Sequence, residues 1–481
     1  MPEGWNDTHI VMVPKVDNPE RINQFRPISC CNFIYKIISK IKATRLKKWT
    51  PDLVSELQMA FTGGRLIQDN IIIVHEALHH FKNHKLDRRR DMMLKLDMKK
   101  AYDMVDWECL ETLLMKYGFD NKWCKWVSAC IRSVRFSILF NGEATDFFRP
   151  SRGIRQGDPL SPFLFILMYN ALTFLIDKTV EENHLKGIRL NARCPVLTHC
   201  LFADDTVIFG KANLQGAQKI LDLIGEYGAI TGQEVNISKS SVFFSANVPD
   251  VEKADIIAHI GFASSNCHSK YLGVPTEWGN SKKETFNFLI QRMEKMGEAW
   301  NSLLLSHGGK EVLLKAVIQA IPSFIMYLFY LPVSVTKKMD SLLSNFFWSG
   351  SMKKSSLHWC KKEIFCAAKS EGGLGFRSFK DFNMALLAKQ AWRLLTSPES
   401  LWSRLLKGLY FPISDFLQAK KGSRPSRIWA SLWEAKKVIN LGAVRVIGSG
   451  EDNWLDQDPW IPALQNFTIK SGPQNHEKVK E

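Results

Sequence analysis

The sequence has no Cys-x-x-Cys pair and no regular cysteine framework. Its ten cysteines are scattered, and Cys30 and Cys31 are adjacent, too close to bridge each other. That pattern excludes a disulfide scaffold and reads as reduced, intracellular thiols, mostly core residues. His358, Cys360 and Cys366 supply three potential zinc ligands without a convincingly spaced fourth, and ordinary packing accounts for them. Long hydrophobic runs are missing too: the longest, residues 163–169 and 324–331, fall short of the roughly 20 that span a bilayer. The first 13 residues carry Trp5, Asn6 and His9 where a secretion signal needs unbroken apolar character. The expectation is a chain with no membrane partner beyond surface attachment. No internal repeat and no long low-complexity tract occurs, which leaves no basis for a solenoid or a disordered array.

What is present is an ordinary globular composition with a basic excess. Hydrophobic residues make up 45% and charged residues 23% of 481, enough chain for two or three subdomains. Lys and Arg number 64 against 48 Asp and Glu, a net charge of +16. Such an excess favours a polyanionic partner, because each cation set against a phosphate releases counterions. Charge alone does not choose among nucleic acid, ribosome and anionic membrane.

The first part alternates apolar strands with amphipathic helices. Residues 10–14 predict a strand. Residues 33–49 predict a helix with Ile34, Ile37, Ile38, Ile41 and Leu46 on its apolar side and Lys36, Lys40, Lys42, Arg45 and Lys47 opposite. Such a charge run is a solvated face or a nucleic-acid contact. Residues 92–96 predict a strand, and 107–117 a helix with Asp106 as N-cap and Gly118 at its exit. Residues 136–140 and 143–148 flank Asn141-Gly142 as a hairpin. Ser161-Pro162 opens a helix whose apolar body, 163–175, suits packing beneath a sheet. After about Tyr271 helical periods dominate, including 312–321, 339–348 and 381–395, and the stretch beyond Trp348 is rich in Lys, Arg and Trp.

Asp204-Asp205 follows Phe202-Ala203 and precedes Thr206-Val207, so two adjacent acids interrupt β-forming residues. Neighbouring carboxylates repel unless a cation is shared, and a solvated turn also accommodates them. Asp97 ends a second apolar strand, after Met93-Leu94-Lys95-Leu96. Two strand ends delivering three carboxylates suit a pair of Mg²⁺ ions and in-line phosphoryl transfer.

The motifs around these acids resemble reverse transcriptases, in the form found in plant non-LTR (LINE-type) retrotransposons. KLDMKKAYD at 95–103 resembles the first catalytic motif, RGIRQGDPLSP at 152–162 the next, and FADD at 202–205 the catalytic hairpin, with Phe where many members have Tyr. FRPIS at 25–29 and residues 60–70 resemble fingers motifs; 231–240 and YLGVP at 271–275 resemble the pair that closes the palm. EGGLG at 371–375 and residues 383–393 resemble the region that follows in plant elements.

The resemblance implies an α+β right-hand polymerase, with fingers and palm over 1–275, a helical thumb over 276–350, a basic Trp-rich helical region over 351–465 and a polar tail over 466–481. It implies RNA-directed DNA synthesis from a primer 3′-hydroxyl, with RNA template, DNA primer and dNTPs as partners and no organic cofactor. Asp97, Asp204 and Asp205 would bind two Mg²⁺, and the Met98 carbonyl would add a ligand. Arg26, and more weakly Lys15, would meet the triphosphate; Tyr102 would sense the sugar 2′-position; Gln156 and Gly157 would line the nucleotide; Lys239 would protonate pyrophosphate. Asp103, Asp106 and Asp158 are assigned capping and turn roles only. Family members act in the nucleus and carry an upstream endonuclease and, in plants, a downstream Cys/His-rich segment. Neither segment is visible, so the chain reads as a polymerase-core fragment. Two rivals stay open: a domesticated nucleic-acid binder that does not polymerise, and another palm polymerase.

Overall fold

The computed structural model describes residues 1–83, 89–264, 270–276, 281–300, 305–354, 357–444 and 446. The expected tail over 466–481 lies outside them, as does the end of the expected 351–465 region. The fold is α+β, and the chain divides into two compact units, Met1–Thr276 and Glu277–Glu481.

In the first unit the strands are β1 (Asp7–Pro14), β2 (Phe25–Cys31), β3 (Asp91–Leu96), β4 (Arg135–Phe140), β5 (Glu143–Ala144), β6 (His199–Phe202), β7 (Asp205–Lys211), β8 (Ser241–Phe244), β9 (Ala263–Ser264), β10 (Lys270–Tyr271) and β11 (Val274–Pro275). The helices are α1 (Phe33–Leu53), α2 (Ile67–Asn83), α3 (Trp107–Lys116), α4 (Asn121–Arg132), α5 (Ser161–Glu181), α6 (Leu214–Thr231) and α7 (Asp250–Ile260). One sheet runs β2-β1-β4-β5, another β6-β7-β3-β8-β9, and β10-β11 form a hairpin. One face of central β3 is apolar, carrying Met92, Leu94 and Leu96, and the other alternates Asp91, Met93 and Lys95. Met92, Leu94 and Leu96 join the core formed with α3, α5 and α6, and Met93 is buried on the opposite side.

Helix α5 runs 21 residues beneath this sheet. By length and composition it could cross a membrane, unlike the short runs counted in the sequence, because Asn170 and Thr173 interrupt it without charge. Half of its most apolar stretch is buried in the unit's own core, which accounts for its composition. Ser161 does not cap it: the cap position is Leu160, and the Ser161 hydroxyl turns to Asp158 Oδ2 at 3.5 Å.

Helix α1 keeps part of the expected facing, with Lys36, Lys40, Arg45 and Lys47 exposed and Leu46 buried, and departs from it elsewhere. Ile34, Ile37 and Ile41 are exposed (41, 47 and 51%), whereas Tyr35, Ser39, Lys42, Ala43 and Leu46 are buried. Distant partners choose this face. Tyr35 Oη donates to Asp158 Oδ2 at 2.7 Å, Ser39 donates to Asp158 Oδ1, and Lys42 lies over the rings of Trp126 (4.5 Å) and Trp123 (5.2 Å).

The second unit is helical: α8 (Lys282–Thr285), α9 (Asn287–Glu298), α10 (His307–Leu313), α11 (Ser323–Met326), α12 (Val333–Ser349), α13 (Lys362–Cys366), α14 (Phe379–Thr396), α15 (Leu401–Tyr410) and α16 (Arg427–Ile439). The helix expected over 312–321 is replaced by the end of α10 and a π-helical stretch, Leu314–Ile318. Lys315 and Gln319 from that segment reach the carbonyls of Leu374 (2.7 Å) and Arg377 (2.9 Å), tying it to the glycine-rich turn. Asn383 on α14 binds Leu331 N–H and the Met326 and Phe329 carbonyls. Trp402 and Trp429 are fully buried.

Candidate active site

Strands β6 and β7 pair through Phe202 and Asp205, leaving Ala203 and Asp204 as a two-residue turn. Ala203 takes a left-handed φ of 54°, a region that a side chain disfavours. β3 pairs antiparallel with β7 up to Leu96↔Thr206, so Asp97 leaves β3 one step beyond, beside Asp205. Asp97 is held from its backbone: its N–H donates to Ser240 Oγ (3.2 Å) and its carbonyl accepts from Asn236 N–H (2.7 Å). The turn is held by Tyr169, whose hydroxyl shares a 2.6 Å hydrogen bond with Thr206 Oγ1 and reaches the Asp204 carbonyl at 3.5 Å.

Asp204 and Asp205 are loaded by burial and by their acidic neighbours. Burial, then the Asp204 and Asp97 charges, push the Asp205 carboxyl up to about 6, with Lys95 opposing. Burial and Asp97 also raise Asp204, against its own backbone amide and Arg26. Among the described residues no group of three or more His, Cys, Asp or Glu side chains is gathered tightly enough to hold a metal ion as placed. The potential zinc set is likewise not assembled; the His358 ring lies against Ser344 Oγ (3.3 Å) and Asn345 Oδ1 (3.1 Å).

Several other candidate residues converge here. Arg26, exposed on β2, is near enough to favour the Asp204 anion. Lys239 Nζ lies 3.9 Å from Asp97 Oδ2. Tyr102 stacks on Phe165 at 4.7 Å, and burial followed by the Asp204 charge raises its hydroxyl. Gln156 instead donates to Asp103 Oδ1 at 3.4 Å, and its carbonyl accepts from Ser29 N–H at 2.8 Å. Gly157 has φ +109° and a Cβ there would stand 3.0 Å from the Ser29 carbonyl, so the loop crosses β2 where only glycine fits. Lys15 donates to the Asn23 carbonyl at 3.1 Å and sits within electrostatic range of Asp103.

The acids given no chemistry behave differently from one another. Asp106 caps α3 by accepting from Cys109 N–H at 2.8 Å. Asp158 is buried among Tyr35, Ser39 and Arg155, whose guanidinium lies over the Tyr35 ring at 3.7 Å. Sequence reasoning missed Gln58, Tyr169 and Thr206, which hold the turn, and Lys95, whose ammonium donates to the Lys270 carbonyl at 2.7 Å. Lys95 carried a signal, being one cation inside a buried strand. The others carried none.

Residues 13–292 match the family described as reverse transcriptase (RNA-dependent DNA polymerase). An uncharacterized mitochondrial protein of Arabidopsis thaliana is 39% identical over 145 residues, 30% of this chain and 93% of that protein. A retrovirus-related Pol polyprotein from a type-2 retrotransposable element of Drosophila melanogaster is 29% identical over 242 residues, 50% of this chain and 21% of its own length. The chain therefore spans most of the first relative and about a fifth of the second. Among solved structures, apo telomerase from Candida tropicalis aligns over 84% of this chain and 69% of that one, at 14% identity and a TM-score of 0.42.

Proposed function

The chain belongs to the reverse transcriptase (RNA-dependent DNA polymerase) family, and we propose that it extends a primer 3′-hydroxyl with dNTPs on an RNA template. The observation that carries this reading is the strand register that brings Asp97, at the end of β3, beside the Asp204-Asp205 turn of the β6–β7 hairpin. Asp204 and Asp205 are both pushed toward protonation by burial and by acidic neighbours, a load that a shared divalent cation relieves. The donor set of three carboxylates suits hard oxygen-seeking Mg²⁺.

Asp97, Asp204 and Asp205 would hold two such ions, which when bound lower the pKa of the primer hydroxyl and neutralise charge on the triphosphate. Arg26 would bind triphosphate oxygens through its planar guanidinium. Tyr102, stiffened by its stack on Phe165, would meet the sugar and reject a 2′-hydroxyl. Gln156 and Gly157 would bound the nucleotide on the β2 side. Lys239, exposed beside Asp97, would donate a proton to departing pyrophosphate. The DNA primer and RNA template, and participation in retrotransposition, belong to the same proposal. They draw on the motifs and on the Drosophila relative's retrotransposable-element name.

Primer extension on RNA and DNA templates, with dNTPs or NTPs and with Mg²⁺ or EDTA, tests the reading. The expected result is Mg²⁺-dependent dNTP incorporation on RNA that Asp204→Ala abolishes. No extension by the wild-type chain, or full activity in the variant, overturns it.

A further inference from the structure

The catalytic turn is gripped by a residue far from it in sequence. Gln58 lies in the loop between α1 and α2 and is fully buried. Its backbone forms a parallel bridge with Leu201 on β6. On either side, Leu201 N–H donates to the Leu57 carbonyl and Met59 N–H donates to the Leu201 carbonyl, each at 2.9 Å. The side chain carries this pairing two residues further, to Ala203. Ala203 N–H donates to Gln58 Oε1 at 2.9 Å, and Gln58 Nε2 donates back to the Ala203 carbonyl at 3.3 Å. One amide thus serves both polar groups of Ala203, as a neighbouring strand would. Ala60 N–H also donates to Oε1 at 3.1 Å, and two N–H donors on one atom fix which end of the amide is oxygen.

The residue so held is the one in the left-handed conformation, φ 54°. Its conformation sets the direction in which the chain leaves toward Asp204 and Asp205. The gripping loop is itself braced. Arg65 donates to the carbonyls of Gln58 (2.8 Å), Val54 (3.1 Å) and Pro51 (3.2 Å), as well as to that of Ser55. Across the turn, Tyr169 and Thr206 hold the Asp204 side.

We infer that Gln58 is a positioning residue: its amide, braced by Arg65, holds Ala203 left-handed so that Asp204 and Asp205 present their carboxylates together. The chemistry requires glutamine. Asparagine is one methylene short, an ionised glutamate accepts twice but cannot donate to the Ala203 carbonyl, and methionine keeps the length with neither hydrogen bond.

The inference rests on the polymerase reading, so its test carries a measurement independent of turnover. Gln58→Met and Gln58→Glu are compared with wild type for kcat and KM of dNTP incorporation, for melting temperature, and for amide hydrogen exchange over residues 199–208. The expected result in both variants is a kcat lower by about tenfold or more, with KM for dNTP within about threefold. Exchange should be faster across the turn and unchanged in the β1–β2 pair. Gln58→Glu is close to isosteric and carries the test if Gln58→Met does not fold. Wild-type exchange at the turn, or a loss appearing in KM rather than kcat, overturns the inference. A wild-type chain that extends no primer defeats the polymerase reading instead, and the exchange result still decides the clamp.

Discussion

Asp205 shows how a single residue reports its surroundings. Its carboxyl is held up to about 6 against an ordinary 3.8, chiefly by burial and then by Asp204. A carboxyl with a higher pKa folded than unfolded favours the folded state while protonated. That contribution is complete below 3.8 and is lost as pH rises through about 6. In EDTA, Asp205→Asn should therefore melt higher than wild type at pH 7.5, by roughly 2–5 °C, with the gap closing toward pH 4.5. Adding Mg²⁺ should raise the wild-type midpoint at pH 7.5 and leave the variant nearly unmoved. Calorimetry at the two pH values decides it, and an equal gap at both would contradict the electrostatic account. Tyr102 makes a different kind of statement, because its stack on Phe165 leaves little room to yield. Tyr102→Ala should raise ribonucleotide relative to deoxynucleotide incorporation by about tenfold or more, the scale of one lost steric contact. Competing NTP and dNTP incorporation measures this, and an unchanged ratio removes Tyr102 from sugar selection.

At the scale of the element, α1 carries the charge run that the sequence offered as a solvated face or a nucleic-acid contact. Lys36 and Lys40 share its solvent face with Ile37 and Ile41, and Arg45 lines the same groove beside Pro159 of the 152–162 loop. A cationic and apolar surface bordering that loop is suited to a nucleic-acid strand, phosphates on the lysines and sugars on the isoleucines. Lys36→Glu combined with Lys40→Glu should weaken template–primer binding by about tenfold or more at moderate salt, leaving KM for dNTP unchanged. Fluorescence anisotropy with a labelled duplex reads the effect, and wild-type affinity would make this face a bystander. The facing of α1 was only partly legible in the sequence, which read its exposed cations and buried Leu46 but not its exposed isoleucines or buried Lys42, whereas β3, β6 and β7 were legible. Apolar strands ending on acids declare themselves locally, since Met92–Leu96 and the stretch around Asp204 need no distant partner to be recognised. The buried side of α1 is chosen by Asp158, Trp123 and Trp126, long-range contacts that override the spacing of its isoleucines. Gln58 was hidden for the same reason: its value lies in a hydrogen bond across 145 residues.

For the whole molecule, the question is whether affinity for nucleic acid comes from aromatic stacking or from charge. The fully buried tryptophans of the second unit, Trp402 and Trp429, are core: Trp429 stacks on Tyr410 at 4.6 Å, and Arg393 lies over Trp402 at 5.2 Å. Truncating either should cost about 3–5 kcal/mol of stability rather than remove a base-stacking platform. Charge is the larger resource, with 64 cations against 48 acids distributed over the chain. Binding through phosphates releases counterions, so the logarithm of affinity falls linearly with the logarithm of salt, by about 0.9 per duplex phosphate neutralised and about 0.7 per single-strand phosphate. A polymerase gripping a template–primer through six or more phosphates should lose about 1,000-fold in affinity between 50 and 200 mM salt, with little dependence on sequence. Titrating salt against two unrelated template–primers of equal length measures both properties. A slope shallower than about −3 would mean that few phosphates are engaged. The basic excess would then serve another partner, and the strand would have to be held by contacts other than charge.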